Sequence, residues 1–175
     1  FFFNTPVSNG FSYFYDLKEQ KQIDIPYLAI SQIANDEFLA EREDGIDIYN
    51  EDGNEIHSFD LSDYESIQYE YDSSLIVVQY GETWRVYDED GNDLMGERFQ
   101  DVRFIGEFLE LKNMDGECGV IDEKGNVVIP FGDLYEVDYD ETYQGEEIKA
   151  MSAVAGKLYI VTEKTRDDLL NLHIF

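Results

Sequence analysis

The sequence holds one cysteine, Cys118, in 175 residues. A single cysteine excludes an intramolecular disulfide and makes a thiolate metal cluster implausible. Cations are scarce too: 12 Lys and Arg stand against 40 Asp and Glu, for a formal charge of −28. A surface of that sign repels DNA, RNA and anionic membranes and attracts cations, basic proteins and basic peptides. No apolar run approaches the ~20 residues that span a bilayer, so no membrane insertion is expected. Only two histidines occur, His57 and His173, both outside any H-E-x-x-H pattern. G-x-S-x-G, Walker A and G-x-G-x-x-G are all missing; Gly156-Lys157 has neither the earlier glycine nor the following hydroxyl. With forty acids some carboxylate pair falls ~5–10 Å apart by chance, so such a pair is no sign of glycoside hydrolysis. The chain is expected not to be an enzyme and to hold no cofactor.

Aromatic residues are plentiful. There are 13 Tyr and 12 Phe, and the hydrophobic fraction is 43%. High charge would mean disorder in an aromatic-poor chain, but here there is material for a core. At this length folding buries roughly 70% of the surface of the unfolded chain. The chain opens on FFFNTP without an initiator Met, as expected of a processed or trimmed product whose export signal, had it one, is unreadable.

A short segment recurs. IYNEDGNEI (Ile48–Ile56), VYDEDGNDL (Val86–Leu94) and VIDEKGNVV (Val120–Val128) share an apolar pair, an acid or Asn, and a Gly-Asn step. Their glycines, Gly53, Gly91 and Gly125, are spaced 38 and 34 residues apart. Periods in this range mark repeat architectures. Upstream of each lie two segments rich in strand formers, such as YLAISQI (Tyr27–Ile33) with EFLAERE (Glu37–Glu43), and YESIQYE (Tyr64–Glu70) with SLIVVQY (Ser74–Tyr80). Degenerate copies flank the three: FYDLKEQKQI (Phe14–Ile23) and KLYIVTEKTRDDLL (Lys157–Leu170) both lack the turn glycine, as terminal repeats do. The reading is a single all-β domain of about five repeats, with units near 1–26, 27–60, 61–97, 98–131 and 132–175, each of three or four short antiparallel strands.

The acidic tips, YDEDGND among them, invite comparison with calcium loops. An EF-hand needs Asp at positions 1, 3 and 5, Gly at 6 and Glu at 12. Counted from Asp88, position 12 is Phe99, and Lys124 replaces Asp90 in the third copy. Two strand-like runs joined through Asp-Gly or Lys-Gly are a hairpin signal instead, because glycine takes the positive φ the turn needs. The segment is read as a turn.

CGVIDEKGNVVIP (Cys118–Pro130) resembles the WG repeat of bacterial proteins, in which an aromatic-Gly pair leads into an apolar residue, Ile-Asp, a glycine turn and Val-Ile-Pro. Gly119, Ile121, Asp122, Gly125, Val127, Val128, Ile129 and Pro130 match that pattern, while Cys118-Gly119 and Trp84-Arg85 each keep half of the name-giving dipeptide. The resemblance implies a non-enzymatic β-repeat, often exported or on the cell surface. Five four-stranded units can close into a five-bladed propeller-like ring, which hides sheet edges. An open β-hairpin solenoid is the alternative, with its end strands in need of protection. The tail RDDLLNLHIF (Arg166–Phe175) is read as a final strand or short helix. GETW (Gly81–Trp84) matches the end of a sialidase Asp-box without its head, and Trp84 is assigned to the core.

Repeats offer a broad surface of equivalent positions, so binding is the expected use. The sequence favours a non-catalytic interaction module of an exported or envelope-associated bacterial protein. Its partner is expected to be a basic protein or peptide. The surface singled out is DYDETYQGEE, where Asp138, Asp140, Glu141, Glu146 and Glu147 steer the partner and Tyr139 and Tyr143 give contact area. Two other readings stand beside it. One is a cytoplasmic inhibitor or immunity-type protein that captures a basic enzyme such as a nuclease. The other is a carbohydrate-binding propeller using Tyr69, Tyr71 and Tyr80 as platforms.

Overall fold

A computed structural model of the chain describes residues 2–4, 11–16, 20–22, 26–34, 36–71, 73–137, 140–164 and 169–175. Every regular element among them is a β-strand, and every strand pairing is antiparallel. Four sheets follow one another along the chain. The first holds β1 (Phe2–Asn4), β2 (Phe14–Asp16) and β3 (Lys21–Gln22). The second holds β4 (Ala29–Gln32), β5 (Glu37–Arg42), β6 (Gly45–Asn50) and β7 (Glu55–Asp60). The third holds β8 (Ser66–Tyr69), β9 (Ile76–Tyr80) and β10 (Thr83–Tyr87). The fourth holds β11 (Asp101–Ile105), β12 (Phe108–Lys112), β13 (Cys118–Ile121), β14 (Val127–Val137), β15 (Asp140–Tyr143), β16 (Glu146–Val154), β17 (Lys157–Lys164) and β18 (Leu169–Ile174).

Central strands show only partial apolar–polar alternation because their sheets are covered on both faces. Gly45–Ile48 of β6, Ile76–Val78 of β9 and all of β13 are buried without a break. Leu39, Ile46 and Ile48 meet Ile76 and Val78 between the second and third sheets. Leu75, Val77 and Val86 meet Phe99, Leu109, Leu111 and Ile121 between the third and fourth. Phe14 reaches Tyr27, Ile30 and Ala40 between the first and second. Each fully buried side chain of this size contributes about 1.5–3 kcal/mol. Each sheet is thus stabilised by the next, as in a repeat array.

The fourth sheet departs from the expected division at 131/132, because β14 runs through it from Val127 to Val137. The β13–β14 register slips between Val120↔Ile129 and Cys118↔Leu134. Gly132, at φ 92, lies in the slipped segment. The extra residues bend β14 and let its second half start a new row of pairings. The eight strands curl over a core of Ile105, Phe108, Val120, Ile129, Leu134, Leu158 and Ile160. The curl brings β16 back to β11, so close that a Cβ on Gly106 would stand 2.9 Å from that of Ala153. The architecture is a propeller-like succession of antiparallel sheets. Among the described residues no strand pairing and no cluster of buried side chains joins the first sheet to the fourth. The tail is a strand from Leu169 to Ile174.

Candidate functional site

From Asp140 to Glu147 the acidic segment is a hairpin: β15 and β16 pair through Thr142↔Glu147 and Tyr143↔Glu146. Asp138 and Tyr139 lie outside the described residues, and Asp140 is described only as the first residue of β15. Tyr143 is 6% exposed, with its ring edge-on to His173 and Phe175. It belongs to the core cluster with Leu134, Leu158 and Ile160. The described acids have internal partners. Arg103 Nη1 lies 2.7 Å from Glu141 Oε1, and the same guanidinium donates to the buried Glu110. Glu146 Oε2 accepts from Thr162 Oγ1 at 2.7 Å and from Asn171 Nδ2 at 2.9 Å. Glu147 pairs with Lys149, which also reaches Glu163 at 2.8 Å. Of the residues singled out, Glu141, Glu146 and Glu147 thus have partners within the fold and Tyr143 is buried.

A different acidic surface arises from the recurring turns. In each, the first residue closes the loop on the backbone. Asn50 Oδ1 accepts from the N–H groups of Asp52 and Asn54, and Asp122 Oδ1 from those of Lys124 and Asn126. Asp88 Oδ1 accepts from the N–H of Asn92. The glycine N–H donates to the carbonyl of that first residue in all three, at 2.9–3.0 Å. The glycines sit at φ 78, 79 and 77. Burial pushes the Asp122 carboxyl up, but the side chain and N–H of Asn126 and the N–H of Lys124 outweigh it, and its pKa lies below the usual Asp value. Carboxylates engaged in this way are turn-formers. A fourth turn of the same kind, at Asn113–Glu117, escaped the repeat alignment: Asn113 Oδ1 accepts from Asp115 and Glu117, and Gly116 donates to the Asn113 carbonyl. The signal was there in Asn-Met-Asp-Gly, hidden by methionine in place of an acid.

The three glycine turns found in the sequence lie in a row along one edge of the array. His57 Nδ1, just past the first turn, lies 2.9 Å from Asp90 Oδ1 in the second. Gly91 abuts the Phe59 ring, and Gly125 abuts Leu94, just past the second turn. Turn positions two and three hold Glu51 and Asp52, Glu89 and Asp90, and Glu123 and Lys124. Glu37 joins them, since it pairs with Asn50 across β5 and β6. Burial, then the nearby charges of Glu89 and Asp36, raise the Glu37 pKa above the ordinary value. His57 opposes the rise. Among the described residues no group of three or more His, Cys, Asp or Glu side chains is placed to hold a metal ion.

The tyrosines named as sugar platforms are placed differently. Tyr69 and Tyr80 pack against the core between the second and third sheets. Tyr80 is also covered by the Arg98 guanidinium, 5.3 Å from its ring centre. Tyr71 is exposed. Trp84 packs against the core between the third and fourth sheets. Cys118 lies buried within β13 and forms no disulfide.

No protein-family model matches the sequence, and no curated protein does. Solved structures with some likeness include the β-propellers Hsv2 from Kluyveromyces marxianus and BamB from Moraxella catarrhalis. Hsv2 is 13% identical with a TM-score of 0.44, over 92% of this chain and 54% of that one. BamB is 9% identical with a TM-score of 0.37, over 98% of this chain and 53% of that one. The computationally designed protein Ika8 is 12% identical at a TM-score of 0.42, over 99% and 55%. The chain spans about half the length of these structures. Likeness at this level assigns no ligand or partner to the chain.

Proposed function

We propose that the chain is a non-catalytic binding module whose row of acidic turns receives a basic protein or peptide. The observation that carries this reading is the succession of turns at Gly53, Gly91 and Gly125, in which Asp90 meets His57 just past the first turn and Gly125 abuts Leu94 just past the second. Within the three turn sequences Lys124 is the one lysine or arginine, so the edge keeps a negative potential of its own. A basic segment laid along the row meets several carboxylates at the repeat spacing, and screening confines the attraction to charges within ~8 Å at physiological ionic strength. The WG-type resemblance and residence in an exported or envelope-associated bacterial protein belong to the same reading.

The test compares two triple variants of the full chain for binding of a lysine-rich peptide, with a glutamate-rich peptide of equal length as control. Glu51→Gln, Glu89→Gln and Glu123→Gln together remove three charges from the row. Glu43→Gln, Glu82→Gln and Glu97→Gln remove three charges elsewhere. The row variant is expected to lose affinity and to flatten the salt dependence, while the second variant stays near wild type. Equal weakening by both triples refutes the reading and makes the charge a general solubility coat.

A further inference from the structure

β18 is unlike the rest of the molecule. Charged residues make up 30% of the sequence, yet Leu-Leu-Asn-Leu-His-Ile contains no Asp, Glu, Lys or Arg. Among the described residues it stands at the edge of the fourth sheet and pairs with β17 alone. Leu169, Leu170, Leu172 and Ile174 are 61%, 65%, 59% and 54% exposed. Edge strands are normally guarded by charge, a bulge, proline or a cover, and β18 has no charge to guard it.

The pairing with β17 fixes which backbone groups are free. Phe175 and Leu158 exchange both N–H···O=C bonds. In an antiparallel ladder the bonded pairs recur at every second residue, so His173, Asn171 and Leu169 face β17. The N–H and C=O groups of Leu170, Leu172 and Ile174 therefore point away from the sheet. Their side chains share one face with Tyr159, Val161 and Glu163, which lie opposite them in β17. The outward backbone groups thus belong to three of the four residues whose apolar side chains are exposed.

We infer that β18 pairs antiparallel with β18 of a second copy of this chain, about a two-fold axis at Leu172. Leu172 then faces Leu172 of the other copy, and Leu170 faces its Ile174, giving six N–H···O=C bonds and a row of six apolar side chains. No charged residue opposes its own image, although the two chains repel as wholes. A basic peptide is a poorer occupant, because β18 carries no acid to attract it. The paired strand is short, and it buries less than the roughly 800 Å² per partner of a standard interface. The dimer is therefore weak and concentration-dependent. It is also tightened by salt, which screens the two acidic bodies from each other and leaves the apolar seam intact. That is the opposite of the salt response of the acidic row, so the two proposals fail separately.

The experiment is sedimentation of the full chain from micromolar to sub-millimolar concentration, between about 0.01 M and about 1 M salt, where the screening length falls from ~30 to ~3 Å. Wild type is expected to move from monomer to dimer with concentration, and at lower concentration as salt rises. Leu172→Lys and Leu172→Glu are each expected to remain monomeric, and their equimolar mixture to form the heterodimer. Amide exchange on wild type gives a readout independent of any variant: Leu170, Leu172 and Ile174 are expected to exchange freely on dilution and to be protected in the dimer. Several results overturn the inference. These are a monomer at every concentration and salt, a dimer that Leu172→Lys leaves intact, no heterodimer from the mixed variants, assembly beyond the dimer, or amides already protected in the monomer.

Discussion

The docking of one repeat's turn on its neighbour can be weighed by comparing two glycines in like conformations. Gly91 sits at φ +79, and a Cβ there would stand 2.5 Å from Phe59 Cγ of the preceding repeat. Gly81 sits at φ +63, and a Cβ there would meet nothing within 4 Å. Gly81→Ala therefore costs only the left-handed backbone, about 1–2 kcal/mol. Gly91→Ala costs the same plus displacement of the Phe59 ring, which stacks on Tyr87. Overpacking of this sort adds about 1–3 kcal/mol, for a total of about 2–5 kcal/mol. Against a typical stability of about 5–15 kcal/mol the two variants are well separated. Urea unfolding read from midpoints at constant slope measures both losses. Adding Phe59→Leu to each variant completes the case. It relieves the clash and returns part of the loss at Gly91→Ala, while at Gly81→Ala it adds its own packing cost. A coupling of about 0.5–3 kcal/mol is expected for the Gly91–Phe59 pair and none for Gly81–Phe59. Equal losses from the two glycine variants, or no coupling, would refute the claim that the turn is seated on its neighbour.

Glu37→Gln is expected to stabilise the fold at neutral pH. The Glu37 pKa is raised on folding, so its contribution is fully present below the ordinary Glu value and is lost as pH rises through the raised one. Urea midpoints for wild type and variant should accordingly differ at pH 7 and converge at acid pH. Asp122 behaves oppositely. Its folded pKa is lowered, so its carboxylate stabilises the fold above the usual Asp value near 4 and the benefit fades as pH falls towards the folded pKa. Asp122→Ala should lower stability at neutral pH and flatten the acid limb of a stability–pH profile. Arg103→Leu removes the guanidinium from the buried Glu110 and from Glu141. A loss of about 1–3 kcal/mol is expected, discounted for the half-exposed arginine. Replacing Glu110 by Leu in the same chain should recover part of it, since well-packed apolar pairs substitute for buried ion pairs.

Strand and turn positions were legible because they depend on near neighbours in the chain. Asn-Glu-Asp-Gly, Asp-Glu-Asp-Gly and Asp-Glu-Lys-Gly each specify one hairpin, whatever the tertiary context. The course of β14 was not legible. Val127–Val137 holds Pro130 and Gly132, which read locally as the end of one unit and the start of the next. A register slip against β13 absorbs both residues and keeps the strand running, and that slip is a property of two strands together. The fate of the 138–147 segment was hidden for a similar reason. Its composition gives acids and tyrosines, but only the pairing Tyr143↔Glu146 decides that Tyr143 faces His173 and Phe175. The partner of Glu141, Arg103, is far away in sequence and arrives through the curl of the sheet.

The same distinction explains how a chain with 40 acids can place them without conflict. A carboxylate at the first turn position is turned inward and bonded to backbone N–H groups, as at Asp88 and Asp122. A carboxylate on a strand face that becomes buried meets an arginine or a hydroxyl. Asp47 has Arg42 Nε at 2.9 Å and Ser58 Oγ at 2.8 Å, and Glu110 has Arg103. The third turn position serves the first through its N–H group, as at Asp52 and Lys124, and its side chain is left for the surroundings. Within each tetrapeptide the repeat thus separates a position that holds the fold from two that meet the surroundings. Three consecutive repeats fill those two outward positions with Glu-Asp, Glu-Asp and Glu-Lys. Exchange of Glu89 for another residue should then alter the surface potential and leave the hairpin intact, whereas exchange of Asp88 should do the reverse. Amide exchange at Gly91 and Asn92 separates the two cases, and opening of the turn by Glu89→Gln would break the division of labour inferred here.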